Sequence, residues 1–498
     1  MELAISVTFD PHSPGGPGTD ERAFFDAFPR SPAVFALFFD DAGKAQPYLS
    51  RTADLRRRLL RLLGRRELAA PEGQGFNSAG PALNKEITEN SQMRLLGMAE
   101  AAPAPGLAQP PGVAAARRSM MLNLRGITRR ISYQRVGSNF EARWLLYQLN
   151  RQYYPQSYRQ RLRLRPPPLL KVNLRNRFPR CYPTRRPARD GSLYYGPFPS
   201  RIAAERYAAE FLDLFKIRRC VEDLDPDPSH PGCIYSQMQM CLAPCFKGCT
   251  DAEYQDELRR VTDFLDSEGR TLVRALEAER EQASGQLAFE EAAKTHRRIE
   301  KVQEVLRLKP GLARNLSDLH ALILERGAEP KSVAFFLVVG GELRGPGTLS
   351  LEENVASPVP LDQQLRDLLA TLAPGEKRDS ELGTRDSRKK AQAGIDRNGS
   401  WEPEVGSRKE GRDIDSRFPA PDPRAASGES GSSANPEPRI PNPATPKLPP
   451  WEHLALLSRW YYSSFREGEI VLLSPNRTIP HARIIRLCRK MLEVGDAR

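Results

Sequence analysis

KVNLRNRFPRCYPTRRPARDGSLYYGPFPS, residues 171–200, mixes strand-forming residues with arginines and is punctuated at Arg189-Asp190-Gly191 and at Gly196-Pro197. The pattern predicts a strand, a turn and a Gly/Pro-rich loop. Ser200 is placed to cap a helix running through Leu214, with Tyr207, Phe211 and Leu214 on one apolar face. A cysteine array follows, Cys220, Cys233, Cys241 and Cys245, separated by twelve, seven and three residues. Cysteines this close, in a chain whose first residues MELAISVTFD show no leader pattern, point to a metal or cluster site rather than disulfides. Four thiolates suit zinc and suit a [4Fe–4S] cluster equally well. Cys249 is a spare thiol beside the array, and Cys181 and Cys488 read as ordinary thiols.

Working outward, the 498 residues allow about three domains. The apolar fraction of 39% and the 44 prolines imply that a good part of the chain is not packed core. Among its residues no apolar run approaches the ~20 that a membrane-spanning helix needs. Six of the seven cysteines lie between positions 181 and 249, which fits a reducing compartment with one thiolate-bound site, so a cytoplasmic location and no membrane partner are expected. The net charge of +13 is concentrated: residues 115–189 hold 19 Arg or Lys and one acidic residue, Glu141. Tyr133, Phe140, Trp144, Tyr147, Tyr153, Tyr154 and Tyr158 are interleaved with those cations. Cations neutralise phosphates while aromatic faces stack on unpaired bases, so the run predicts nucleic-acid binding, with Arg129, Arg130, Arg143 and Arg151 as candidate contacts.

The N-terminal residues 1–65 read as a small α/β unit. The apolar run 31–39 is a strand, 40–44 a turn, 46–50 a returning strand, and 51–63 a helix with Leu55, Leu59 and Leu62 on one face and arginines on the others. Residues 66–111 are Ala/Pro/Gly-rich and read as a flexible insertion. From 251 to 306 the spacing of Tyr254, Leu258, Val261 and Leu265, then Ala292, His296, Ile299 and Val302, predicts a long helical hairpin, with His296 packed on its apolar face. Strands are expected at 318–324, 332–344 and 347–351, and a helix at 361–372. Residues 374–448, charged and Ser/Gly/Pro-rich, read as a disordered insertion. Helix 451–465, strand 469–473 and helix 482–492 close the chain.

The segment 178–200 with its cysteine array resembles the middle of UvrC-type excinuclease subunits. The hairpin and basic helix of residues 31–63 resemble the GIY-YIG nuclease domain found at the N-terminus of that family, and LAFEEAAKTHRRIEK, residues 287–301, resembles its UVR motif. The resemblance implies an α+β multidomain chain. It divides into a GIY-YIG-like α/β domain at 1–165 (with the insertion 66–111), a connector and cysteine region at 166–250, a UVR-like hairpin at 251–308, and a split C-terminal α/β unit at 315–373 and 449–498 around the insertion 374–448. It also implies an iron–sulfur cluster on Cys220, Cys233, Cys241 and Cys245, with zinc as the alternative. DNA and a UvrB-like helicase subunit are the implied partners, the latter held by Phe289, Glu290, Ala293 and Arg297. The family's second, ribonuclease-H-like nuclease and its helix-hairpin-helix domain are not expected within these residues.

Laid onto the nuclease motif, Tyr48 takes the second tyrosine position, Arg51 the lysine and Arg58 the helical arginine. Phe35, however, falls on the first tyrosine and Leu146 on the metal-binding glutamate. One-metal hydrolysis needs a carboxylate to hold the divalent cation on the scissile phosphate, with a proton-transferring group near the attacking water. Phenylalanine and leucine supply neither. Glu141 lies five residues before Leu146, about 140° away around a helix. The expectation is a DNA-binding component of nucleotide excision repair with a degenerate nuclease centre, the alternative being an active endonuclease that uses a divalent metal. Tyr48, Arg51 and Arg58 are the candidate catalytic, or vestigial phosphate-binding, residues.

Overall fold

The structure, a computed structural model, describes residues 3–14, 16, 20–40, 45–65, 123–222, 224–351, 359–373, 448–474, 476 and 478–496. Residues 41–44 of the turn expected at 40–44, the insertion read at 66–111, and residues 374–447 of the insertion read at 374–448 lie outside the described residues.

Strands β1 (Ile5–Thr8), β2 (Ala33–Phe38), β3 (Tyr48–Thr52) and β4 (Arg130–Arg135) form an antiparallel sheet in the order β1-β4-β2-β3. All six residues of β2 are buried, because both of its faces are covered. Successive strand side chains point to opposite faces. Phe35 and Leu37 therefore join Tyr48, Leu55 and Leu59 on the side of helix α2 (Leu55–Leu63) and of helix α1 (Glu21–Asp26). Val34, Ala36 and Phe38 join Leu49, Leu145, Leu146 and Leu149 on the side of helix α3 (Asn139–Tyr153). β1, α1 and β4 have no counterpart in the sequence patterns above: they are short or arginine-rich and make sense only once paired. A short helix, α4 (Tyr158–Arg161), follows α3.

The second sheet, order β6-β5-β7-β8, holds β5 (Leu169–Asn173), β6 (Arg180–Thr184), β7 (Leu193–Gly196) and β8 (Arg314–Asn315). Lys171 and Asp190, both nearly buried, pair across its turn. Ser200 does cap the next helix, α5 (Arg201–Leu212), by accepting from the Ala203 N–H at 3.1 Å. That helix ends two residues earlier than the pattern suggests. Beyond it, a one-turn helix α6 (Ile234–Gln237) lies within the cysteine region.

The segment 251–308 is three helices rather than one hairpin: α7 (Asp251–Asp266), α8 (Arg270–Gly285) and α9 (Phe289–Leu308). The break falls where Glu268 and Gly269 adopt positive φ, 56° and 80°. α7 buries Tyr254, Leu258, Val261 and Leu265 in the core beneath α5, whereas α8 and α9 form the hairpin proper. On α9 the buried stripe is Thr295, Ile299, Val302 and Val305. His296 sits off that stripe, exposed and beside Glu300 at 3.7 Å, so it is a surface residue and not the packed one expected.

The third sheet, order β11-β10-β9-β12, contains β9 (Ala321–Arg326), β10 (Ser332–Val339), β11 (Glu342–Ser350) and β12 (Glu469–Leu472). Helices α10 (Leu361–Leu372) and α12 (His481–Asp496) cover the face carrying Val333, Phe335 and Leu337. Helix α11 (Trp451–Tyr461) covers the opposite face together with α3. Boundaries differ from the patterned expectation by a few residues: the strand expected at 318–324 begins at Ala321 after a 3-10 turn, and the helix from Trp451 stops at Tyr461. The architecture is thus α+β, three antiparallel sheets with helices on their faces.

The aromatic residues of the basic run turn out to be the mortar between the first and third sheets. Phe140, Trp144, Tyr147 and Tyr158 are buried in one cluster with Phe336, Leu454, Leu457 and Trp460. Trp144 Nε1 donates to the Gly345 carbonyl at 2.7 Å, and the Tyr158 hydroxyl donates to Glu452 at 2.9 Å. Gly137, just before α3, comes so close to β9 that a Cβ there would lie 2.2 Å from the Arg326 carbonyl oxygen. The expectation that these rings stack on bases is therefore overturned for Tyr133, Phe140, Trp144, Tyr147, Tyr154 and Tyr158, all buried. Neighbouring arginines use two of them instead: the Arg161 guanidinium lies 3.7 Å above Tyr154 and that of Arg159 5.4 Å above Tyr158, while Arg130 lies 4.2 Å above Phe38 of β2.

Candidate nucleic-acid interface and cysteine site

A cleft of about 490 Å³ opens where the N-termini of α2 and α3 meet. Four arginines line it, Arg51 from β3 and Arg57, Arg58 and Arg61 from α2. Opposite them are Gly137 to Asn139, which begin α3, and Glu467 from just before β12. The local sequence builds this directly. Asp54 caps α2 by accepting from the Arg57 N–H at 2.9 Å, and Ser138 caps α3 by accepting from the Glu141 N–H at 3.1 Å. Leucines at 55, 59, 62 and 63 turn inward, which leaves the arginines between them facing out.

Arg51 Nη1 donates to Asn139 Oδ1 at 2.7 Å, tying β3 to α3 across the cleft floor. Burial lowers the Arg51 pKa, and Arg143 nearby is lowered first by burial and then by the Arg51 charge. Two desolvated guanidiniums side by side repel one another, and a bound anion relieves both. Arg58 Nη2 donates to the Tyr48 hydroxyl at 3.3 Å, so Tyr48 lies beneath the arginine, with only 3% of its surface exposed. Of the trio Tyr48, Arg51 and Arg58, then, the two arginines line the cleft and the tyrosine supports one of them.

Phe35 is wholly buried, its ring 6.2 Å from that of Tyr48, and Leu146 is buried on the far face of the sheet. Neither lines the cleft. Glu141 is committed elsewhere: its Oε2 accepts from the Gly137 N–H at 2.8 Å, and burial raises its pKa. Among the described residues lining the cleft the carboxylates are Asp54, engaged in its cap, and Glu467. Arg57, Arg61, Asn139 and Glu467 escaped the sequence reading. The arginines were detectable, since 57, 58 and 61 fall on one side of the helix. Nothing in the sequence announces Glu467, brought in by a sheet 400 residues downstream.

The four arginines expected to contact DNA occupy separate surroundings. Arg143 lies near enough to Arg51 to feel its charge but is not among the residues that line the cleft. Arg130 is laid on Phe38. Arg129 borders a cavity of about 730 Å³ with Phe9, Phe24 and Tyr133, and Arg151 borders one of about 530 Å³ with Trp144, Tyr147 and His453.

The cysteine region wraps around the end of α5 and the start of α7. Cys245 lies in a 3-10 turn bracketed by Ala243 and Lys247, both at φ 58°. Cys241 Sγ accepts from the Ala243 N–H at 3.3 Å. The Cys241 thiol is pushed up to about 11, chiefly by burial, and further by the charges of Cys220, Cys233 and Cys245. Burial likewise raises Cys220, against the opposing charge of Arg218. The four thiols thus share one neighbourhood, although among the described residues no three His, Cys, Asp or Glu side chains converge to hold a single metal ion. Cys181 and Cys488 are buried in apolar cores, with thiols raised by burial. The donor chemistry of the array is that of a thiolate site, and a second feature fits it. Arg218, 1% exposed, carries Nε, Nη1 and Nη2 all buried without a hydrogen-bond partner.

On the α8–α9 hairpin, Phe289, Glu290, Ala293 and Arg297 are all exposed. Phe289, Ala293 and Arg297 fall four residues apart on one line of the helix. With Leu287 at 72% and Phe289 at 65% exposure, the hairpin tip presents two large apolar side chains to solvent.

Residues 168–264 match the family described as UvrC/Cho excinuclease, middle domain. The chain is 32% identical over 179 residues to UvrABC system protein C of Moorella thermoacetica, covering 36% of this chain and 29% of that one. It is 30% identical over 238 residues to UvrABC system protein C of Desulforudis audaxviator, covering 48% of this chain and 38% of the relative. The corresponding protein of Syntrophus aciditrophicus is 29% identical over 182 residues, covering 36% and 29% respectively. The chain thus matches about a third of the length of these curated relatives. No solved structure matches it. Among the described residues no helix is long and apolar enough to cross a membrane.

Proposed function

We propose that this chain, which carries a UvrC/Cho-type middle domain and is a relative of UvrABC system protein C, acts in nucleotide excision repair as a DNA-binding component with a degenerate GIY-YIG centre. The observation that carries the reading is the cleft: Arg51, Arg57, Arg58 and Arg61 converge on it while Leu146 and Phe35 stay in the core. Four guanidiniums gathered beside the N-termini of α2 and α3, from β3 and along α2, hold phosphates well. Without a carboxylate at position 146 they lack the ligand that would seat a divalent cation on one.

One observation favours the alternative, incision. Glu467 lines the same cleft, so a carboxylate does reach the arginines from the C-terminal sheet. A nicking assay on damaged duplex with Mg²⁺ or Mn²⁺, supplemented with UvrA- and UvrB-type proteins, separates the two. The expected outcome is retained duplex binding with no incision. Nicking that disappears in Arg58→Ala or Glu467→Gln would establish the endonuclease instead.

The hairpin tip supports a UvrB-type partner. Phe289 and Leu287 are exposed, and a two-helix hairpin buries only its inner stripe unless a second helix pair covers the outside. Phe289→Ala is expected to weaken capture of a UvrB-type protein by roughly tenfold, the cost of losing an aromatic anchor, without changing duplex affinity. Equal binding by wild type and variant in a pull-down titration would remove the hairpin from the interface.

For Cys220, Cys233, Cys241 and Cys245 we favour a [4Fe–4S] cluster. Four thiolates suit zinc and a cubane alike, and the resemblance of this array to that of UvrC-type proteins is what favours the cluster. When bound, such a cluster supplies an anionic, redox-capable centre. The chain's own contribution is the set of thiols, the turn that presents Cys245, and a positive charge held beside them.

A further inference from the structure

We propose that Arg218 is the buried counter-cation of an anionic, thiolate-held centre on Cys220, Cys233, Cys241 and Cys245: a positioning residue that stabilises the centre and sets its potential. The inference rests on the reading of those cysteines as a cluster site. It comes from an imbalance in the protein itself. Among the described residues Arg218 is the largest with under 2% of its surface exposed, and none of its three guanidinium nitrogens has a hydrogen-bond partner. Five N–H donors and a full charge kept from water without compensation are strongly destabilising. The side chain has no easy way out, because its backbone is pinned. The Arg218 N–H donates to the Tyr254 hydroxyl at 3.0 Å, and that hydroxyl donates to the Pro179 carbonyl at 2.7 Å. Tyr254 itself is fully buried in the core.

What would compensate the charge is placed by the sequence. Cys220 is two residues away, and Cys241 and Cys245 are bound into the same layer: the Leu242 N–H donates to the Lys216 carbonyl at 2.9 Å, two residues before Arg218. Four thiolates outweigh the positive charge of a cubane core, so the loaded site is net negative. A guanidinium offers N–H donors to sulfur and charge to the whole centre. Other arginines near the array have protein partners. Arg219, for example, donates to the Leu212 carbonyl at 2.7 Å and to Asp213 at 2.9 Å. A negatively charged centre on the four thiolates would give the buried Arg218 guanidinium the counter-charge that no protein group hydrogen-bonded to it supplies.

The test uses the full chain, purified without oxygen and then stripped or reconstituted with ferrous iron and sulfide. Arg218→Met keeps the length and apolar stem, and Arg218→Lys keeps the charge. If the inference holds, stripped Arg218→Met melts at or above stripped wild type, since an uncompensated charge has gone. Loaded, it loses iron to a chelator at least tenfold faster than wild type. Its cluster is also harder to reduce by at least tenfold in equilibrium constant, about 59 mV for a one-electron couple. Arg218→Lys stays within a few-fold of wild type in both loaded measurements. A stripped Arg218→Met that melts lower, with iron retention and potential unchanged, would show an ordinary structural arginine and overturn the inference. Zinc in place of iron in wild type overturns the iron–sulfur reading alone, and the stripped-versus-loaded melts still decide Arg218. Wild type that takes up neither metal overturns both.

Discussion

Replacing Arg57 and Arg61 together by alanine should lower affinity for duplex DNA between tenfold and a hundredfold at low salt, and flatten the salt dependence. Each phosphate contact contributes about −0.9 to the slope of log K against log salt, so losing two should reduce its magnitude by about 1.8. The fold should be indifferent to the change. Both side chains are exposed, alanine is the strongest helix former, and the leucines that seat α2 are untouched. The cap survives too, because Asp54 accepts from the backbone of residue 57 and not its side chain. Arg51 and Arg58 are less clean targets: one is bound to Asn139 and the other to Tyr48, so their loss also perturbs the floor of the cleft. Arg129→Ala, on a separate cavity, serves as the control and should change the slope by less than half as much. Anisotropy titrations across a salt series read both quantities. A double variant with wild-type slope and affinity would move the DNA to another surface and end the case for the cleft.

The sequence carried the local features of this site well and its assembly poorly. The β2–β3 hairpin, the leucine face of α2, the Ser200 cap and the helices around Tyr254 and Ile299 all follow from short-range periodicity, which a chain displays openly. The arginine face of α2 was equally visible. What periodicity cannot show is which element meets which. The aromatics of residues 133–158 look like a stacking surface in sequence, because basic and aromatic residues alternate along it. In space α3 turns Phe140, Trp144 and Tyr147 toward α11 and β10, while Tyr133 and Tyr154 pack into the cores on the two faces of the first sheet. Glu467, Gly137 and Arg218 were missed for a related reason. A carboxylate, a glycine and an arginine acquire meaning only from a neighbour hundreds of residues away, a backbone that approaches too closely for a Cβ, or a burial with no partner.

Glu325→Gln should stabilise the protein at pH 8 by about 3 kcal/mol and leave it nearly unchanged near pH 4. Glu325 is 2% exposed on β9 and accepts from Trp460 Nε1 at 2.5 Å. Burial pushes its carboxyl up to about 7, with Glu467 and Glu141 adding to the shift and bonds from Trp460 and Ser138 opposing it. The unfolded value is near 4.3. A carboxyl raised on folding binds its proton more tightly in the native state, so its penalty is absent below about pH 4. The penalty grows as pH climbs to 7 and is complete above that. Glutamine keeps an oxygen for Trp460 and never ionises. His453, buried on α11, the helix that carries Trp460, works in the opposite sense. Burial lowers it to about 4, so neutral His453 loses stability for the fold as pH falls from about 6.5 to 4. In wild type the two trends oppose one another between pH 4 and 7. In Glu325→Gln the histidine acts alone, and the acid side of the stability curve should steepen. Because Glu325 neighbours Glu467 and Ser138 at the cleft wall, removing its charge should also tighten duplex binding at pH 8. Urea unfolding at pH 4 and pH 8 measures the stability change directly. A Glu325→Gln variant less stable than wild type at pH 8 would mean that the ionised carboxylate is held by groups other than those around it here.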